Sequence, residues 1–361
     1  MKRIFIAHIL PRKDVLQNHL SVAGCNFCWN LIEGGVFDKV YSVLPPFING
    51  NKKFDCPGLV YSDWRYSNGL KKKLAAIKEQ LDIFKQIPQE ASVWFYNITL
   101  INCFLFILLR LLRPKVKSNV IILDYTPYQR KYSLSYWMLW LCNHANGTIT
   151  LANSPLFNVA NTFLLPGVVP ENTDTHPKVE IITKEFLISG VLREEISLIS
   201  MLLKVFSKMP ECKLHISGFC EDDSIIKEYS SKYNNIIYHG KVEYKEYVQL
   251  LETIPFLLST RDPKATENQC NFPSKIIEAL LYNRIIVSTI HYAQLDGIKY
   301  FEVSSDVAKF AVDINQILAM SSDNILDFAN QSSKVCLIRE KVVTFRMVKL
   351  NLLLSIFLIT K

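Results

Sequence analysis

The sequence predicts an α/β protein made of two doubly wound parallel sheets. Three observations carry that prediction. Short apolar runs rich in β-branched residues alternate with helix-period segments along the chain, the pattern of repeated βαβ units. A polar, turn-forming stretch near residue 170 interrupts the alternation, which then restarts. In the second half, three successive strand-like runs end in glycine, at Gly190, Gly218 and Gly240.

In the first half, strands are expected near Lys2–Ile9, Asp38–Leu44, Ser92–Tyr96, Asn119–Asp124 and Thr148–Ala152, with helices over Cys25–Glu33, Leu70–Phe84 and Lys131–Cys142. The run VIILD from Val120 to Asp124 has the short, β-branched character of a strand buried on both faces. Leu164 to Gly167 closes a strand, and Val168-Val169-Pro170 followed by ENTDTHPK forms a linker. We therefore expect one domain over 1–168 and a second over 169–336. In the second, strands at Phe186–Ser189, Lys213–Ser217, Asn235–His239, Pro255–Ser259 and Ile285–Thr289 alternate with helices at Glu194–Lys208, Asp222–Tyr233, Tyr244–Leu251 and Pro273–Tyr282. Right-handed crossovers make each series a doubly wound sheet, giving two Rossmann-like domains facing across a cleft.

Composition narrows the function classes. The 361 residues suffice for about two domains, and 12 glycines are too few for a collagen-like or linker-rich chain. An excess of 41 basic over 33 acidic residues gives a net charge of +8. That suits contact with phosphates or an anionic membrane surface, and it is weaker than the basic stripe of a nucleic-acid binder, so no nucleic-acid partner is expected. Nine cysteines, an odd number, with no signal peptide at the start, point to a reduced cytoplasmic compartment. Cys25 and Cys28 have CxxC spacing but no second pair, which reads as two small buried thiols; no metal is expected.

The apolar run Ile98–Leu112 is broken by Asn102 and Arg110 and is too short to span a bilayer. A buried helix is the first reading and an interfacial patch the second. Leu70–Ile87, opened by Lys71, Lys72 and Lys73, and the apolar Leu350–Ile359 are further amphipathic candidates. The sequence thus admits peripheral membrane contact at the inner face.

Ligands of open α/β sheets bind beyond the carboxyl ends of the strands. Gly190, Gly218 and Gly240 fall at that edge, where glycine allows close backbone approach; ordinary strand-to-helix turns use glycine in the same way. The segment Asn271-Phe272-Pro273-Ser274-Lys275-Ile276-Ile277-Glu278-Ala279 opens a helix. Ser274 and Lys275 sit at its N-terminus, where amides, dipole and ammonium together suit a diphosphate. Glu278, one turn deeper, can accept two hydroxyl hydrogen bonds, as from a ribose. An amphipathic helix with Ile276, Ile277, Leu280 and Leu281 inside explains the same pattern, and the two readings are compatible. The sequence lacks GxGxxG after the first strand, and it lacks GxSxG, HExxH and Walker A motifs.

Phe272–Glu278 resembles the FPSK-x-x-E donor motif of the GT-B glycosyltransferases, specifically family 4 and the bacterial relatives that build surface polysaccharides. Phe186–Arg193, with LISGVLR, resembles their first donor-domain strand and loop; LHISG at Leu214–Gly218 and IIYHG at Ile236–Gly240 resemble the next strand ends. The likeness runs over about Phe186–Val303. It implies a retaining transfer from a nucleotide-sugar donor to a glycan or lipid-linked acceptor, with no cofactor beyond these substrates. Glu278 would hold the ribose, Lys275 and Ser274 the diphosphate, and Arg193 the leaving phosphate, beside Gly190, Gly218 and Gly240. Asp124 stands where a catalytic histidine sometimes follows its strand, although capping a turn or helix suits an aspartate there equally. The catalytic candidates are thus Asp124, Arg193 and Lys275. Gly24 and Asn26 would lie in the acceptor or cleft loop after strand one, and a helix within 337–361, holding Ile338-Arg339-Glu340-Lys341, would pack back on the first domain. Two features depart from the pattern: Cys270 stands where the first of two paired carboxylates belongs, with Glu267 out of register, and Glu194-Glu195 replace a Lys-Gly after Arg193. They leave two alternatives, a degenerate protein that binds nucleotide or glycan without turnover and a nucleotide-sugar epimerase of the same fold.

Overall fold

The computed structural model describes residues 1–15, 22–43, 59–61, 69–123, 125–128, 130–157, 162–167 and 176–331. They fall into two compact units, one within Met1–Glu171 and one within Asn172–Lys341. The expected domain limit at 168/169 and the helix expected within 337–361 lie outside the described residues, as does Asp124.

Unit 1 runs β1 (Lys2–Ala7), α1 (Arg12–Val15), α2 (Val22–Glu33), β2 (Lys39–Ser42), β3 (Leu59–Tyr61), α3 (Gly69–Gln86), β4 (Ala91–Tyr96), α4 (Cys103–Leu112), β5 (Lys117–Ile122), α5 (Leu134–Asn143), β6 (Gly147–Thr150) and β7 (Thr162–Leu164). Its seven strands are parallel in the order β3-β2-β1-β4-β5-β6-β7. Every residue of β4 is buried, as expected of an inner strand covered on both faces. The chain winds outward from β1 in both directions, so right-handed crossovers put α1 and α2 on one face and α3, α4 and α5 on the other. The run Ile98–Leu112 is helical only from Cys103. It buries Leu105, Phe106 and Leu109, while Ile107, Leu111 and Leu112 stay exposed, so the helix is buried on one side only. No helix among the described residues is long and apolar enough to cross a membrane.

Unit 2 runs β8 (Glu185–Val191), α6 (Glu194–Ser197), α7 (Ile199–Phe206), β9 (Lys213–Phe219), α8 (Ser224–Lys232), β10 (Ile236–Gly240), α9 (Tyr244–Thr253), β11 (Phe256–Ser259), α10 (Thr266–Cys270), α11 (Ser274–Leu281), β12 (Ile285–Ser288), β13 (Phe301–Glu302), α12 (Val307–Leu318) and α13 (Ser322–Ala329). Six parallel strands follow the order β10-β9-β8-β11-β12-β13. The order reverses at β8, whose two neighbours β9 and β11 lead the chain to opposite edges. Phe186 anchors the core there, stacking on Phe256 at 4.7 Å and edge-on to Phe206 at 5.2 Å. Each such buried ring contributes about 1.5–3 kcal/mol relative to exposure.

The helix expected over Glu194–Lys208 is two helices. Leu198 is left-handed (φ 46°, ψ 43°), and the Ser197 carbonyl accepts from Thr260 Oγ1 at 2.6 Å instead of continuing the helix. The Glu194 carboxylate accepts from the Ser200 amide at 3.1 Å and so caps α7.

Candidate functional site

The chain reversal at β8 opens a crevice beyond its carboxyl end, flanked by α9 and α11 on one sheet face. Four side chains from three elements converge there. Lys275 Nζ on α11 donates to Glu278 Oε2 at 2.9 Å, to Glu278 Oε1 at 3.2 Å and to the Tyr247 hydroxyl at 2.9 Å. Tyr247 on α9 donates to Glu278 Oε2 at 2.5 Å and shares a hydrogen bond with Ser189 Oγ on β8 at 3.2 Å. The ammonium also lies 4.3 Å from the centroid of the Tyr247 ring, within cation–π range. Lys275 and Glu278 are three residues apart on one helix, a spacing that brings their side chains together.

Electrostatics fix the protonation of this cluster. Burial works against the charge on Lys275, but the Glu278 carboxylate and the Tyr247 hydroxyl outweigh it and hold the ammonium above the ordinary lysine range. Burial, and with it Glu278, pushes the Tyr247 phenol above its ordinary range against the pull of Lys275. At neutral pH the site therefore presents an ammonium, a neutral phenol and the oxygens of Glu278. It offers a cation for phosphate and acceptors for hydroxyls. Among the described residues, no group of three or more His, Cys, Asp or Glu is placed to hold a metal ion. Cys25 and Cys28 lie buried in α2.

The other candidates are distributed around this cluster. Gly190, at φ 110°, lines it: a Cβ there would stand 3.5 Å from Lys275 Cε. Gly218 sits beside Gly190 in register, and a Cβ on it would come within 1.9 Å of the Gly190 carbonyl oxygen. The neighbouring strand therefore requires glycine at 218 whatever binds. Gly240 ends β10, two strands from β8, with open space where a side chain would go. Ser274 is exposed as the first residue of α11. Pro273 precedes it as the N-cap and supplies no side-chain cap, leaving the first amides of the helix to other acceptors. Arg193 is half-exposed and pairs with Glu267 on α10 at 3.4 Å. Cys270 is buried at the end of the same short helix.

In unit 1, Gly24 and Asn26 lie within α2 rather than in a loop. Gly24 is buried, and exposed Asn26 accepts from Arg12 at 2.6 Å. The two residues missed by sequence reasoning, Tyr247 and Ser189, are joined to α11 only by the crossover topology. Tyr247 shares the inward side of α9 with Leu251, so hydrophobic patterning alone does not mark it.

No family model matches this sequence, and the search of curated proteins finds no match. Solved structures do match. A glycosyltransferase from Rickettsia africae ESF-5 is similar over 100% of this chain and 99% of that one, with a TM-score of 0.63 and 13% identity. A UDP-forming α,α-trehalose-phosphate synthase from Burkholderia xenovorans, in complex with glucose-6-phosphate, is similar over 98% and 99%, with a TM-score of 0.60 and 9% identity. The N-terminal domain of trehalose-6-phosphate phosphatase from Candida albicans is similar over 100% and 97%, with a TM-score of 0.64 and 13% identity. The fold is the two-sheet GT-B architecture, in agreement with the expectation from sequence.

Proposed function

We propose that this chain is a glycosyltransferase that moves a sugar from a nucleotide-sugar donor to a hydroxyl of a glycan or lipid-linked acceptor. The observation that carries the reading is the cluster of Lys275, Glu278 and Tyr247 at the β8 switch point, beside the glycine edge at Gly190. The fold supports it, since the similar Rickettsia structure is a glycosyltransferase and the Burkholderia one is UDP-forming. A cytoplasmic role in surface polysaccharide assembly and retention of configuration extend the same reading through the family 4 resemblance.

In this mechanism the bond from the sugar anomeric carbon to the diphosphate oxygen breaks, and its electron pair leaves with the nucleoside diphosphate. The acceptor oxygen bonds to the anomeric carbon and gives up its proton, for which Asp124 is the candidate base. Lys275, the α11 amides at Ser274 and the Arg193 guanidinium offset the charge that develops on the leaving group. Glu278 turns from Lys275 to the ribose hydroxyls, so donor binding replaces an internal ion pair.

A second reading is favoured by a specific observation: Cys270 supplies no carboxylate, and Arg193 is already engaged by Glu267. A protein so built could bind nucleotide or glycan without turnover. A thermal-shift screen against UDP-, GDP-, CDP- and dTDP-sugars identifies the donor. Lys275→Ala and Glu278→Ala are each expected to weaken its binding by about tenfold or more by calorimetry, with unchanged circular dichroism. Unchanged affinity in both variants removes this site assignment. Binding without transfer or donor hydrolysis selects the second reading, and sugar interconversion without acceptor selects the epimerase.

A further inference from the structure

The Tyr247 hydroxyl touches each of the other three side chains at the β8 crevice: Lys275 Nζ at 2.9 Å, Glu278 Oε2 at 2.5 Å and Ser189 Oγ at 3.2 Å. A phenol has one hydrogen to give and two lone pairs to fill. The Glu278 carboxylate only accepts, so it takes the hydrogen. The Lys275 ammonium only donates, so it fills one lone pair. Ser189 is therefore the donor to the second. Every hydrogen-bonding capacity of this hydroxyl is used, and its direction is fixed by the chemistry of its partners.

The same count applied to Lys275 shows what a ligand must displace. The ammonium has three hydrogens, and three acceptors surround it: both Glu278 oxygens and the Tyr247 oxygen. Releasing Tyr247 frees one hydrogen for a diphosphate. Releasing Glu278 frees two and also opens Glu278 Oε1 to a hydroxyl. In that second arrangement the phenol keeps a bond to each former partner, accepting from Lys275 and donating to Glu278 Oε2. Neither charge, both largely shielded from solvent, is stranded when the pair parts. A phenylalanine would supply the same ring, including the face that Lys275 Nζ approaches at 4.3 Å, but it could not make this exchange. Leu251, one turn along on the same inward side of α9, is buried and apolar, so packing alone does not call for a hydroxyl at 247.

We propose that Tyr247 is a positioning residue for the donor ribose: its hydroxyl, anchored by Ser189, holds Glu278 Oε2 while Lys275 turns to the diphosphate, and so leaves Oε1 for the ribose hydroxyls. The proposal rests on the transferase reading above. It makes the ribose, rather than the diphosphate, the part of the donor that senses Tyr247.

The test is calorimetric titration of the full chain with UDP, GDP and CDP, each compared with its 2′,3′-dideoxy form. The native chain should bind the preferred ribo form about tenfold or more tighter than the dideoxy form. Tyr247→Phe should weaken the ribo form about tenfold and the dideoxy form less than about twofold, so that the gap between them closes. Ser189→Ala, which loosens the phenol without removing it, should narrow the gap to a smaller extent. A merely structural loss weakens both forms alike, so equal weakening in Tyr247→Phe overturns the proposal, and so does a gap that stays open. Should Tyr247→Phe fail to fold, an unchanged gap in Ser189→Ala overturns it instead. Glu278→Ala tells the two levels apart. If it closes the gap while Tyr247→Phe does not, the nucleotide site stands and the role of Tyr247 falls. If neither Lys275→Ala nor Glu278→Ala changes the binding, or if the native chain binds none of these nucleotides, the site assignment falls and the role of Tyr247 with it.

Discussion

Gly218 has no room for a side chain: its φ is 147°, and a Cβ would collide with the Gly190 backbone. Gly240 is also left-handed, at φ 66°, but faces open space. The two substitutions therefore separate steric demand from backbone strain. Gly218→Ala should cost about 4 kcal/mol, a fall of roughly 10 °C in Tm, and Gly240→Ala about 1 kcal/mol. Equal losses in a thermal melt would show that the strand contact is not the constraint. The same scale shows what sequence can reveal of a site. Lys275 and Glu278 were legible because one helical turn places them together, so their relation is local. Tyr247 reaches them from another helix, 28 residues before Lys275, and no local pattern records that meeting. The family resemblance puts Gly24 and Asn26 in a loop after the first strand, whereas here both lie within α2.

The elements that position the site owe their ends to specific residues. α11 stops in a Schellman motif: the Arg284 amide donates to Ala279 O at 2.7 Å and Asn283 to Leu280 O at 3.3 Å, with Asn283 left-handed at φ 59°. The Asn283 side chain also donates to His176 O at 2.9 Å, tying the incoming chain to the end of the site helix. Asn283→Gly loses that bond but keeps the left-handed turn, whereas Asn283→Ala loses the bond and adds strain. Urea unfolding should place the alanine variant about 1 kcal/mol below the glycine variant; equal stabilities would assign the whole effect to the bond. Strand and helix alternation was readable from periodicity in both units. The break at Leu198 was not, because leucine disfavours the left-handed conformation and only Thr260, 62 positions later, takes the freed carbonyl. α1 and β3, at four and three residues, are too short to show a period.

Across the whole molecule, stability should depend on pH below neutrality. Burial lowers the His8 pKa to about 4, its ring stacks on Tyr96 at 4.3 Å, and its Nδ1 has no hydrogen-bond partner among the described residues. Burial also lowers His215 and His239, which sit with Nδ1 and Nε2 3.0 Å apart. The unfolded chain takes up a proton near pH 6.5 that folded His8 refuses until about 4. Its favourable share is therefore complete above 6.5 and is lost as pH falls through that window, by about 3 kcal/mol for His8 alone. His8→Phe, which keeps a ring on Tyr96, should flatten the fall in unfolding free energy between pH 6.5 and 4. An unchanged slope would place the titration elsewhere.

Both units put the first strand of their sheet in its interior, with neighbours on both edges. β1 finds one neighbour in β2, but its other edge waits for β4, where Ile6 meets Phe95. β8 waits in the same way for β11, where Phe186 meets Phe256. A ribosome delivers about 5–20 residues each second, so each of these strands spends several seconds with one apolar edge unpaired. That interval, rather than the finished sheet, is when either half of this protein is most open to pairing with the wrong chain.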